Sequence, residues 1–267
     1  MNDQDLSGTP PMLIQEGSCA TICLNRPAYH NRLEIEDIRI LSELIQKIET
    51  DRSIRVLILT GVGKTFSSGY DISAMRGAAM DPNRLEDTQR GELAFGSLCD
   101  QVENIRIPTI CALNGPVYGG STDLALACDF RIGIEGIRMF MPAARLGIHF
   151  YHSGLRRYVS RLGLAAAKRL FLTAQPLEAE DMLRIGFLDE IVAAGLLEER
   201  VKALAELLAE NAPSAVTGMK QALNQISRGE DCRAQVDATF VASFSSDEFI
   251  EGMAAWAERR KPNFEGC

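Results

Sequence analysis

Two glycine turns carry the chemistry that residue type and spacing suggest in this sequence. They are Phe66-Ser67-Ser68-Gly69-Tyr70-Asp71-Ile72 and Asn114-Gly115-Pro116-Val117-Tyr118-Gly119-Gly120-Ser121-Thr122-Asp123. Each follows an apolar run that reads as a strand, and in a parallel sheet the ends after the strands gather along the edge where ligands bind. Two backbone N–H groups aimed at one point form an oxyanion hole, in which loss of one donor costs about 3 kcal/mol of barrier. Gly119-Gly120 also opens a helix, whose free amides and dipole favour a developing negative charge. Taken singly, either turn is explained as well by a tight bend or by close helix-to-sheet packing; the pairing is what points to a site. Neither matches Gly-x4-Gly-Lys-Ser/Thr or Gly-x-Gly-x-x-Gly, which argues against a kinase or a dinucleotide enzyme.

The elements that must position these turns are legible in the hydrophobic pattern. Residues 20–24 read as a strand closed by Asn25-Arg26-Pro27. Ile35, Ile38, Leu41, Leu44, Ile45 and Ile48 recur at helical steps, and residues 55–61 form a nearly continuous buried strand. The alternation repeats with a helical stretch over 85–105, a strand over 109–113, a helix from Gly120 and a strand over 130–134, which predicts an α/β protein with a mostly parallel sheet. Beyond about residue 152 the strand signals fade, and helices are expected over 155–162, 165–172, 178–185, 196–210 and 215–226, with two more to Arg260.

Composition narrows the function classes. The 267 residues are 46% hydrophobic and 24% charged, an ordinary globular balance. Twenty-eight Lys and Arg against 36 Asp and Glu leave a net charge of −8, the wrong sign for nucleic acid or anionic membrane. The seven cysteines (Cys19, Cys23, Cys99, Cys111, Cys128, Cys232 and Cys267) have no paired metal spacing and read as reduced thiols in a cytoplasmic protein without a metal. The opening residues lack the basic and then apolar pattern of a signal peptide, and no apolar run approaches the ~18 residues of a membrane span.

With these motifs in view, the sequence resembles the crotonase superfamily, the enoyl-CoA hydratases and isomerases. The resemblance runs from about Ala20 to Phe264 through Asn25-Arg26-Pro27, FSSGYDI, NGPVYGGSTDLALACDFRI, Phe140-Met141-Pro142 to Leu146-Gly147-Ile148, LFLTAQPLEAEDMLRIGFLDEIV and Arg259-Arg260-Lys261-Pro262-Asn263-Phe264. It implies a spiral of ββα units, with a flexible tail over 1–11, a catalytic core over 12–195 and a helical trimerisation region over 196–267. It further implies that the amides of Ser68 and Gly120 hold the thioester oxygen of an acyl-CoA, stabilising an enolate. Arg26, Ser68, Asp71, Ile72 and Lys261 are the implied coenzyme A contacts, and coenzyme A enters as part of the substrate, with no separate cofactor. Relatives assemble as trimers or dimers of trimers, and fatty-acid metabolism is the implied setting.

The pattern is broken at two positions. Asp123 stands where hydratases of the family keep the first of two catalytic glutamates; it retains a carboxylate on a shorter arm, the alternative being a helix-capping acid. Ala143 stands at the second, in Pro142-Ala143-Ala144-Arg145, and has no proton to give or take. A substitute acid is sought in His149, Tyr151 and His152, with Tyr151 favoured because relatives carry a catalytic Asp or Tyr close by. The alternative for all three is a polar loop capping the next helix, and His30 is expected at the surface. Arg156, Arg157 and Arg161 are expected on the solvated face of a helix. Acyl-pocket walls are expected within 73–100, including Met75, Met80, Leu85 and Phe95. Three readings stand: a hydratase or isomerase, a decarboxylase or carbon–carbon hydrolase in the same pocket, and a non-catalytic acyl-CoA binder.

Overall fold

The apolar strand over residues 56–61 is largely buried because it lies inside a sheet that helices cover on both faces. The computed structural model describes residues 8–71 and 85–264; Ile72, Met75 and Met80 lie outside these. The main sheet contains β1 (Met12–Glu16), β2 (Cys19–Leu24), β3 (Val56–Gly61), β4 (Thr109–Leu113), β6 (Phe130–Ile134) and β9 (Glu190–Val192), in that spatial order. All neighbours are parallel except β1, which pairs antiparallel with β2 from Met12 opposite Cys23 to Glu16 opposite Cys19. A second small sheet joins β5 (Val117–Tyr118), β7 (Arg138–Phe140) and β8 (Leu177–Glu178). The parallel core expected from the alternation is present; the short strands β5, β7, β8 and β9 escape prediction because two or three residues are too few to show a period.

Nine α-helices occur among the described residues: α1 (Ile35–Thr50), α2 (Leu85–Asn104), α3 (Ser121–Ala127), α4 (His152–Thr173), α5 (Ala179–Arg184), α6 (Leu197–Ala209), α7 (Pro213–Ser227), α8 (Arg233–Ser243) and α9 (Asp247–Glu258). Within α4, Gly163 at φ 81° breaks the helix where the sequence predicts a division near residue 163. On one face of the sheet Ile22, Leu57 and Leu59 pack with Leu41, Ile45 and Ile48 of α1, Leu98 and Val102 of α2 and Leu124 of α3. On the other, Val56, Ile110, Ala112 and Ile132 meet Leu197, Val201 and Ala205 of α6. The period of two along the strands assigns alternate side chains to the two layers. Helix α6 thus closes the second face of the sheet, so the expected boundary at 195/196 falls ahead of a helix that belongs to the core.

Beyond α6, α7 is joined to α9 by a buried acid. Glu248 accepts from Ser214 N at 2.8 Å and Ser214 Oγ at 2.5 Å, filling donors left open at the start of α7, where Pro213 occupies the first turn. The remaining surface of these helices is unusually apolar: Phe240, Val241, Phe244, Ile250, Met253 and Trp256 are all exposed, Trp256 by 84%.

Candidate active site

The two glycine turns lie side by side. Phe66 N donates to Pro116 O at 3.1 Å and Tyr118 N to Ser67 O at 3.0 Å, while the Ser67 and Ser121 hydroxyls sit 2.6 Å apart. At Gly69, φ is +95°, and a Cβ there would lie 2.7 Å from Tyr118 O and 3.3 Å from Gly120 N, so only glycine permits this approach. Gly120 has a helical φ of −56° and is required for a different reason: a side chain would strike the Phe95 ring, 2.9 Å from an ideal Cβ. The Gly120 N–H has no acceptor among the described residues.

The first turn differs from expectation at Ser68. Its N–H donates to the His30 carbonyl at 2.8 Å, which removes it as a donor to a ligand. Gly69 N donates to Ser67 Oγ at 3.2 Å, and Asp71 N to Leu33 O at 2.9 Å. Leu33 N in turn donates to Gly69 O, so Gly69 and Asp71 both direct their groups to the Leu33 edge. Strand alternation then turns the peptide groups of Tyr70 to the opposite edge. A one-residue change in pleat reverses direction, and the motif alone does not reveal it.

Asp123, on the first turn of α3, is completely buried. Its Oδ2 accepts two hydrogen bonds, from Tyr151 OH at 2.6 Å and from Arg157 Nη1 at 2.8 Å. Its Oδ1 is buried with no hydrogen-bond partner among the described residues. Burial pushes the carboxyl upward, against the opposing pull of Arg157, Tyr151 and the neighbouring Cys99 thiol. A capping role is not what the structure displays: both bonds to Asp123 come from side chains distant in sequence. Tyr151 precedes α4, and its ring stacks on Phe150 with centroids 4.4 Å apart. Burial first, then Cys99 and Asp123, raise its phenol, which stays protonated. Its hydroxyl also lies 3.6 Å from Cys99 Sγ.

The arginines of α4 overturn the expectation of a solvated face. Arg157 is wholly buried and bonds Asp100 Oδ1 at 2.6 Å as well as Asp123, with Glu103 Oε1 3.4 Å from its Nε. Arg156 reaches Glu103 at 2.5 Å, and Arg161 approaches the same carboxylate at 3.6 Å while donating to the Leu126 and Cys128 carbonyls. Burial pushes Glu103 up, but Arg157, Arg156 and Arg161 outweigh it and hold the carboxyl below its ordinary value. The physical reason is pairing across helices. Arg157 and Arg161 are four apart on α4, and Asp100 and Glu103 three apart on α2, so each helix presents a one-signed stripe to the other. That match was visible in the sequence once the two helices were taken to be neighbours.

Other expected residues are placed elsewhere. His149 and His152 are exposed, and Tyr151 is the member of that trio which turns inward to Asp123. His30 is exposed, as expected, with its ring Nδ1 3.1 Å from Thr65 Oγ1. The Arg26 guanidinium is engaged by Asp37, at 2.9 Å from Oδ2, and this ion pair ties the Arg-Pro turn to α1. Asp71 Oδ2 is 3.7 Å from Arg32 Nε. Lys261 is 81% exposed at its side chain and reaches Glu210 at 2.6 Å. Ala143, buried at the start of a short 3-10 turn (Ala143–Leu146), contributes only a methyl group. No group of three or more His, Cys, Asp or Glu side chains suited to a metal occurs among the described residues, and no described helix is long and apolar enough to cross a membrane. Sequence reasoning missed Cys99 and Arg157, whose contacts with Tyr151 and Asp123 depend on the packing of three helices.

Comparison with known proteins adds independent findings. The family model for enoyl-CoA hydratase/isomerase matches residues 15–267. A short-chain-enoyl-CoA hydratase of Clostridium acetobutylicum is 33% identical over 256 residues, covering 94% of this chain and 95% of the relative. A crotonyl-CoA hydratase of Syntrophomonas wolfei is 31% identical over 262 residues, covering 95% and 96%. Among solved structures, an enoyl-CoA hydratase from Bacillus anthracis superposes with a TM-score of 0.88 at 29% identity, covering 97% of this chain and all of that one.

Proposed function

We propose that this chain, which belongs to the enoyl-CoA hydratase/isomerase family, acts on enoyl-CoA thioesters through one carboxylate and one phenol. The observation that carries this reading is the 2.6 Å bond from Tyr151 OH to Asp123 Oδ2, with Oδ1 of the same carboxylate lacking a hydrogen-bond partner among the described residues. The thioester oxygen is bound by the Gly120 N–H and by the Tyr70 N–H, which replaces Ser68 as the donor from the first turn. The edge to which Tyr70 turns and the closeness of Gly69 to Gly120 support this pairing.

In hydration, Asp123 Oδ1 takes a proton from water as the oxygen attacks the β-carbon, and the Tyr151 phenol gives its proton to the α-carbon. Rotation of the Asp123 carboxyl then brings that proton to face Tyr151, whose phenolate takes it, and the pair ends as it began. Isomerisation of a 3-enoyl-CoA uses the same pair, with Asp123 taking the proton from the α-carbon and Tyr151 giving its own to the γ-carbon of the dienolate. Decarboxylation draws on the Tyr151 proton, which solvent restores, and leaves Asp123 with no proton to take, so only half of the pair is used. The use of both groups favours hydration and isomerisation over decarboxylation. The pathway needs no carboxylate at position 143. Lys261 is the exposed cation we assign to the nucleotide end, and the apolar face of α7 to α9 is assigned to contact between copies in a homotrimer or dimer of trimers.

The deciding experiment offers the purified protein crotonyl-CoA, a 3-enoyl-CoA and methylmalonyl-CoA and follows each by mass and retention time. Water gain or an isobaric shift is expected. Loss of carbon dioxide from methylmalonyl-CoA with the other two inert would overturn the reading, as would binding of all three without turnover.

A further inference from the structure

We infer that Arg157 and Asp100 form a tuning pair that sets the protonation of Asp123, with Arg157 a positioning residue for the carboxylate. The inference rests on the proton-acceptor role proposed for Asp123, but its physical content is testable without turnover.

The geometry is specific. Arg157 is wholly buried, so its charge is not screened by water, and it is divided among three acids on two helices. Nη1 goes to Asp123 Oδ2, and Nη2 to Asp100 Oδ1. Because both Arg157 and Tyr151 bond Oδ2, they fix the carboxylate plane and leave Oδ1 as the oxygen available for chemistry. The two ends of the guanidinium differ in solvent access: the Asp123 side chain is 0% exposed, that of Asp100 40%. A buried acid and a half-open acid therefore compete for one cation.

Cys99 of α2, Tyr151 just ahead of α4 and Arg157 and Tyr158 within it act on Asp123 directly, while Asp100 and Glu103 of α2 act on Arg157. Arg157 is the cation among them that bonds the carboxylate directly. Without it, burial is opposed only by the hydrogen bonds of Tyr151 and Cys99, and the Asp123 carboxyl is pushed further upward, which weakens it as an ionised acceptor. Without Asp100, the Asp123 carboxylate gains a larger share of Arg157.

The two substitutions therefore act with opposite sign, which distinguishes tuning from scaffolding. The experiment follows the Asp123 carboxyl through a pH titration by infrared difference against Asp123→Asn, in the full chain and in Arg157→Gln, Arg157→Lys and Asp100→Asn. It also records kcat/KM against pH for whichever enoyl-CoA is turned over. Arg157→Gln is expected to raise the Asp123 midpoint, and the acid limb of kcat/KM with it, by about 1–3 pH units. Arg157→Lys is expected to stay nearer the parent, and Asp100→Asn to move the midpoint down. Should Arg157→Gln fail to fold, the downward shift in Asp100→Asn, whose carboxyl is accessible to water, decides the matter. An unmoved midpoint in a folded Arg157→Gln, or an upward or absent shift in Asp100→Asn, would overturn the inference. Shifts of the expected sign in a protein inert towards thioesters would leave the tuning pair standing and remove the proposed function. Normal turnover with an unmoved midpoint would do the reverse.

Discussion

The helices around Asp123 and the helices after residue 212 depart from ordinary globular behaviour in opposite ways. Between α2, α3 and α4 the protein buries charge: Arg157, Glu103 and Asp123 are each no more than 2% exposed at the side chain. Across α8 and α9 it exposes large apolar groups, including Phe240, Phe244 and Trp256, whose burial would be worth roughly 1.5–3 kcal/mol each for side chains of this kind. Buried charge is costly unless paired, and exposed apolar surface of this extent marks a contact with another molecule. The first region answers its cost inside one chain, by ion pairs across three helices. The second has no such answer among the described residues, and the contact between copies proposed above would supply one.

The comparison can be broken most severely at Asp123. Asp123→Asn keeps the shape and an acceptor for Arg157 but loses the exchangeable proton, and kcat is expected to fall by about 10²–10⁴ with little change in substrate binding. Steady-state kinetics on the active thioester checks this; an unchanged rate would remove Asp123 from the proton circuit. Next comes Glu103→Gln, which leaves Arg156, Arg157 and Arg161 short of one counter-charge in a buried setting. It is expected to destabilise the fold by about 3–5 kcal/mol, measured by denaturant unfolding. Because Glu103 is held below its ordinary range, its contribution is present above the unfolded-state value near 4.3 and is lost as pH falls through the lower native one. The substitution should therefore cost less in strong acid than at neutrality.

Tyr151→Phe removes the phenol and leaves the stacked ring, so a loss of about 10² in kcat is expected with the fold intact. If kcat holds, the donor to the α-carbon is another group. The smallest effect within one chain is expected from Trp256→Ser: stability of the isolated subunit changes by less than about 0.5 kcal/mol, as for other surface positions. The assembled state, measured by sedimentation, is expected to dissociate at a higher concentration. A monomeric protein before and after substitution would sever the apolar face from self-association.

The difference between these regions also explains what could be read without coordinates. The parallel strands β2, β3, β4 and β6 were legible because each is a short apolar run set off by turns, and α1 because its apolar residues recur at three and four. The two glycine turns and Asp123 stood out as motifs. The arginines of α4 did not, since a run of basic residues looks alike whether it faces water or a stripe of acids on another helix. Resemblance favours Tyr151, but only packing separates it from His149 and His152, its near neighbours in sequence. Ser68 failed as a donor for a similar reason: the residue types in a loop do not state which edge each peptide faces.

By itself the sequence determined the alternation of strand and helix, the two glycine turns, a carboxylate at Asp123 and a methyl group at Ala143. These are local properties, set by periodicity, by backbone freedom at glycine and by the chemistry of single side chains. The tertiary structure decided which amides of the first turn are already used, that Tyr151 meets Asp123, and that Arg157 lies between Asp123 and Asp100. Those depend on distances of a few ångströms between segments tens of residues apart, where burial and direction determine whether a charge is solvated, paired or available for chemistry.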